Sequence, residues 1–200
     1  MKSKICLALC LTAVFSACVF SVTSFARECR NIRCDVLRLH VVADSDSETD
    51  QKLKLLVRDE VLRKGGELFD GTLTADEAKR EISPKTDELK AAAENILRQN
   101  GCNNSVEITV GEEYFATRCY ENFTMPAGVY TAVRVNIGCA EGQNWWCVMF
   151  PPLCLPAASA DADAFFTEKE MKVVSSSPEY EPRFKIVEIY ESLKNKFLER

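Results

Sequence analysis

The residues best equipped for chemistry are Cys147, His40 and the aspartates Asp44 and Asp46. A thiolate at Cys147, His40 as its base and one of these carboxylates to orient the ring would suffice for an exported thiol hydrolase acting on cell-wall material. The surroundings of Cys147 argue against that chemistry. It sits in the apolar run Trp145-Trp146-Cys147-Val148-Met149-Phe150, where burial raises a thiol's pKa and leaves it inert. Asp44, Asp46 and Glu48 have the spacing of a calcium loop, but no glycine stands at its sixth position and the third ligand would be a glutamate. A capped, solvated turn explains them better. His40 is the single histidine and no Cys-x-x-Cys pair occurs, so a zinc site is not expected. Gly-x-Ser-x-Gly, a Gly-rich phosphate loop and His-Glu-x-x-His are all missing. The residues thus predict no catalytic set, no metal, no cofactor and no small-molecule substrate.

A different chemistry, that of contact, is concentrated in Gly142 to Cys154. Both tryptophans, Cys147, Cys154 and the pair Pro151-Pro152 fall within it. In a strand, alternation places Asn144, Trp146, Val148 and Phe150 on one face, and Trp145, Cys147 and Met149 on the other. Both faces then carry large apolar groups, so the strand is covered twice or one face waits for a partner. The prolines end the pairing, because they have no N–H to donate. Cys147 with Cys154, and Cys29 with Cys34, are the candidate disulfides.

Lys2 and Lys4 precede an apolar run from Ile5 to about Phe20, and Ser24-Phe25-Ala26 has the small-x-small form of a cleavage site. Residues 1–26 therefore read as a secretory signal peptide. An uncleaved membrane anchor and a lipoprotein site at Phe15-Ser16-Ala17-Cys18 are the alternatives. Cleavage would leave 174 residues with 23 basic and 30 acidic side chains, a net charge of −7. That is enough chain for one domain with a real core. Its acidity suits neither nucleic acid nor anionic lipid as a partner. Seven cysteines would remain, leaving at least one thiol unpaired in a monomer.

The elements that must position these residues follow from periodicity. Val36 to Ala43 predicts a strand with Leu37, Leu39 and Val41 inward. Ser47, with Asp50 three residues on, predicts the N-cap of a helix that runs to about Lys64 and stops at Gly65-Gly66. Its apolar stripe is Leu53, Leu56, Val57 and Val61, with Leu55 and Leu62 opposite. A second helix is expected over Thr74 to Ile82, and a third from the cap Ser83 and Pro84 to Asn100. Strands are expected at Ser105 to Val110, Glu113 to Cys119 and Val129 to Ile137. The loop Gly138 to Gln143 suits a hairpin with the tryptophan strand. Residues 156–182 read as a linker or long loop. Residues 183–200 read as a C-terminal amphipathic helix with Ile186, Ile189, Tyr190, Leu193 and Phe197 on its docking stripe. The expected fold is α+β, a mostly antiparallel sheet of about five strands packed with helices, over residues 27–155.

Three blocks of residues resemble one family. The first is Arg38-Leu39-His40-Val41-Val42-Ala43-Asp44-Ser45-Asp46, continued by Asp50-Gln51, Lys54 and Val57-Arg58-Asp59. The second is Pro126-Ala127-Gly128-Val129-Tyr130, and the third runs from Gly142 to Cys154. Together they resemble the stage II sporulation protein R family of endospore-forming Firmicutes, over about Val36 to Leu155. The extra cysteines and the long linker depart from it. The resemblance implies an exported signal, secreted from the forespore into the intermembrane space of the sporulation septum. There it would activate the membrane-embedded aspartic protease (SpoIIGA) that processes pro-sigma-E in the mother cell. The expected contact residues are Asn144, Trp145, Trp146, Pro151 and Pro152, with Arg38, Asp44, Asp50, Gln51, Arg58 and Asp59.

Overall fold

A computed structural model describes residues 2–69, 74–120, 123–153, 165–175 and 182–198. Helix α1 (Lys2–Cys34) leads into strand β1 (Leu37–Val42). The helical block α2 (Glu48–Leu68), α3 (Ala75–Ile82) and α4 (Thr86–Gln99) follows, with a short 3-10 turn at Ser83–Lys85. Strands β2 (Val106–Phe115), β3 (Arg118–Cys119), β4 (Thr124–Met125), β5 (Gly128–Ile137) and β6 (Asn144–Phe150) come next. Helices α5 (Glu168–Val174) and α6 (Pro182–Leu198) close the chain. The fold is α+β, as the residue pattern predicts.

The main sheet runs β2-β5-β1-β6, and β3-β4 form a separate ribbon. Pairing is antiparallel except between β1 and β5, which run parallel from Leu37 opposite Thr131 to Val42 opposite Asn136. The sheet is therefore mixed. The expected hairpin between β5 and β6 does not form, because β1 lies between them. All six residues of β1 are buried, so it needs a strand on each edge to satisfy its backbone. The loop after β5 steps over it, a span of roughly 10 Å.

One core lies on each face of the sheet. Leu37, Leu39, Val41, Val133, Val135, Cys147 and Met149 pack against Leu53, Val57, Val61, Leu89, Ala93 and Leu97 of α2 and α4. On the other face, Tyr130, Ala132 and Val148 pack against Phe25, Cys29 and Ile32 of α1, Val173 and Val174 of α5, and Phe184 and Val187 of α6. Ser47 caps α2 by accepting the Asp50 N–H at 3.1 Å, and Thr74 and Glu77 close a capping box on α3.

Several local expectations change. Gly65-Gly66 do not end α2, which continues to Leu68. A Cβ at Gly65 would meet the flexible end of the Met149 side chain, so the helix packs directly over β6 there. Leu62 is buried and Leu56 exposed, turning the expected stripe by about one position. Ser83 opens the 3-10 turn and donates to the Lys79 carbonyl (2.6 Å), while α4 starts at Thr86. The two strands expected across 105–119 are one strand, β2, followed by the short β3. Inside the expected linker, Thr167 caps α5 and buries Phe166, Val173 and Val174. The rest of the linker before Pro182, and Cys154, lie outside the described residues.

The expected docking stripe of α6 faces outward. Ile186, Ile189, Tyr190, Leu193 and Phe197 are exposed, while Phe184, Val187 and Glu191 face the domain. An ion pair from Arg33 to Glu191 (2.9 Å) and the Phe25–Phe184 contact set that rotation. Cys29 and Cys34 do not form the expected disulfide. Five residues apart on one helix they point in different directions, Cys29 into the core and Cys34 to solvent.

Gly142 and Gly111 give a paired test of close approach. A Cβ at Gly142 would meet the Ser45 backbone, whereas one at Gly111 meets open space. Gly142→Ala is expected to cost about 1–3 kcal/mol by overpacking, and Gly111→Ala to be neutral or slightly stabilising. Urea unfolding of both variants measures the difference.

Candidate functional site

Strand β6 is an outer strand, and its residues diverge to the two faces of the sheet. Trp145 lies opposite Val41 on the helix side and Trp146 opposite His40 on the other. Trp145 is 38% exposed and carries the Arg58 guanidinium 4.4 Å from its ring centre. Arg58 also pairs with Asp59 at 2.7 Å. Three of the expected contact residues, Trp145, Arg58 and Asp59, thus share one accessible patch where β6 meets α2, while the Asn144 side chain turns to the opposite face and meets His40. Stacking a guanidinium on an indole holds both planar groups ready for a partner at little entropic cost.

Trp146 belongs to a different arrangement. Its ring stacks on His40 with centroids 5.4 Å apart, and Arg118 covers it at 3.8 Å. His40 Nδ1 lies 2.7 Å from Glu113 Oε1, and Nε2 lies 2.7 Å from Asn144 Oδ1. Glu113 also accepts from Arg134 Nη1 at 3.0 Å. Burial opposes ionisation of Glu113, but His40 and Arg134 outweigh it and hold the carboxyl below its usual range. Arg38 is fully buried. It donates to the Cys147 carbonyl (2.9 Å) and to the Tyr120 hydroxyl (2.7 Å), and lies over the rings of Phe115 and Tyr130.

The remaining expected contact residues work inside the fold. The Asp44 carboxylate accepts the Cys139 N–H at 2.6 Å. Asp50 accepts from Ser45 and Ser47, bonds that lower its pKa. Gln51 donates to the Ser45 carbonyl and accepts from Lys54, which also reaches the Gln143 carbonyl at 2.9 Å. Burial pushes the Lys54 ammonium's pKa down. Together these bonds tie the turn after β1 to the loop before β6. Pro151, joined to Phe150 by a cis peptide, is buried, and Pro152 is half-buried. So Arg38, Asp44, Asp50, Gln51, Trp146 and Pro151 shape the site rather than present it.

The hydrolase arrangement is not assembled. Cys147 is disulfide-bonded and faces the helix-side core, while His40 faces the other side of the sheet. Cys154, the expected partner of Cys147, lies outside the described residues. Among the described residues no group of three or more His, Cys, Asp and Glu side chains is gathered for a metal ion. The partners of His40 were not foreseen: Glu113 is 73 residues away and only the β2–β5–β1 order brings it near. The alternation of β2 was the available signal, had it been read as a single strand.

The described residues thus form an α+β domain with an exposed aromatic–arginine patch at one sheet edge. Comparison with known families matches residues 33–160 to Stage II sporulation protein R (spore_II_R), and the chain belongs to that family. It is 39% identical over 118 residues to "Stage II sporulation protein R" of Bacillus subtilis (strain 168), covering 59% of this chain and 53% of that protein. The chain thus spans about half the length of that curated relative. No solved structure matches it.

Because the pKa of Glu113 is depressed in the folded state, its contribution to stability is full above its unfolded value, near 4.5, and is lost as pH falls through the lower folded value. Glu113→Gln is therefore expected to flatten the loss of stability below about pH 4.5, read by denaturant titrations across pH.

Proposed function

We propose that this chain is an exported sporulation signal that activates the membrane-embedded aspartic protease processing pro-sigma-E in the mother cell. Membership of the stage II sporulation protein R family carries this reading. The export-type N-terminus supports secretion from the forespore into the intermembrane space of the septum. As a protein ligand it needs a contact surface and no chemistry of its own. The patch of Trp145, Arg58 and Asp59 is the surface we assign to the protease. It combines an exposed indole, a stacked guanidinium and the end of an outer strand, the residue types that dominate binding energy at protein interfaces. The outward stripe of α6 is the second surface, favoured by five exposed apolar side chains on one helix face.

Co-production with the protease and pro-sigma-E in a non-sporulating host tests the proposal directly. Processing of pro-sigma-E should depend on this chain. Trp145→Ala and Arg58→Ala should each reduce processing about tenfold or more, with little change in melting temperature. Trp146→Ala should instead cost about 2–3 kcal/mol of stability, somewhat less than a fully buried aromatic because its ring is half-buried. Wild-type processing by Trp145→Ala, with loss on Leu193→Ala, would move the contact to α6. Processing without the chain would refute the function.

A further inference from the structure

Helix α1 does two jobs along one unbroken rod. Residues 5–26 contain no charged side chain, and an 18-residue window reaches a mean hydropathy of 2.5 with none of it buried. Ile5, Leu7, Leu9, Leu11, Val14, Phe15 and Phe20 point outward on every side. From Ser21 onward the same helix becomes part of the domain. Phe25, Cys29 and Ile32, at i, i+4 and i+7, are buried in the second core. Phe25 meets Phe184 edge-on, with ring centroids 4.9 Å apart, and Arg183 lies 4.8 Å above its ring. Burial pushes the Cys29 thiol up to about 12, as suits a neutral core group. Arg33 pins the helix by donating to the Ala127 carbonyl (3.0 Å) and to Glu191.

We infer that α1 is retained after export as a membrane anchor, with Ile5–Phe20 in the bilayer and Phe25, Cys29 and Ile32 as a permanent layer of the domain core. The bond after Ala26 lies within the helix, next to a buried phenylalanine. Cutting it in the folded protein requires unwinding at least two turns and withdrawing that ring from its core. The occupant of the exposed helix is lipid. A free segment of 16 residues spans about 24 Å, slightly less than a bilayer's hydrocarbon core, so the domain sits flush against the headgroups. Lys169, Lys172 and Arg183, with the single acid Glu28, line the hollow beside Phe20, Ser21 and Ser24 at that exit point, a net positive collar where the headgroups would lie. An anchored signal acts only across the gap its domain can bridge. This inference is independent of which receptor the domain engages.

The test uses the full chain, produced in a bacterium that has signal peptidase. Membranes are washed with alkaline carbonate and the protein's intact mass and N-terminus are read. An N-terminus upstream of Ile5 and retention in the carbonate-washed membrane are expected. An N-terminus at Arg27, a lipid-modified Cys18, or release of the chain by carbonate would each overturn the inference. In detergent, Phe25→Ala in the full chain should lower the melting temperature by roughly 10 °C, while Phe15→Ala should leave it unchanged. An unchanged melting temperature for Phe25→Ala would also overturn it, since cleavage would then cost the domain nothing.

Discussion

Strand β1 must bury a guanidinium, and much of the architecture follows from how that is done. Arg38 sits at the centre of the sheet with no accessible surface and, among the described residues, no ion pair to a carboxylate. An isolated buried cation is costly, and here the compensation comes from one carbonyl, one phenol and a cage of aromatic faces. The carbonyl belongs to Cys147 and fixes β6 beside β1. The phenol belongs to Tyr120, on the connection between β3 and β4. The rings of Phe115 and Tyr130 come from β2 and β5. One side chain thereby ties together every strand of the main sheet and the small ribbon. The same logic recurs one step along β1, where His40 bridges Glu113 of β2 and Asn144 of β6.

This constraint explains why the mixed sheet wins over the simple hairpin. A β5–β6 hairpin would have left β1 at an edge, with Arg38 and His40 reaching partners on one side only. Inserting β1 between them gives both side chains partners from each flank. The six-residue loop over β1 is a modest cost beside that gain. The loop is then held by the Asp44 carboxylate and the Lys54 ammonium, both bonded to backbone groups of residues 139–143.

The parts of the fold legible in the sequence are those set by local rules. Alternation marks β1, β5 and β6, and the Ser47 cap marks where α2 begins. What was hidden depended on contacts far apart in the chain. Gly65 looks like a helix stop until Met149 is placed against it. The α6 stripe looks like a docking face until Phe25 and Arg33 claim the opposite side. The packing of Phe25, inside the signal-like segment, against Phe184 is another such contact. Of the candidate site, the tryptophans were readable from their rarity, and Arg58 from the helix that carries it. Their stacking was not, because it requires β6 to lie on the α2 side of an outer edge.

The residues that make the family recognisable therefore divide by task. Arg38, His40, Asp44, Asp50, Gln51 and Lys54 direct their polar groups to one another, to backbone and to neighbouring strands. Trp145, Arg58 and Asp59 are held by the same framework but keep their planar or charged faces towards solvent. Half-burying one tryptophan against His40 while exposing its neighbour is the geometric consequence of strand alternation across an outer strand. A single dipeptide, Trp145-Trp146, thus locks the sheet with one ring and offers the other. That coupling ties the shape of the proposed contact patch to the buried Arg38 cluster. A change in the core that shifts β6 by a fraction of an ångström would be felt at the surface as a misplaced indole.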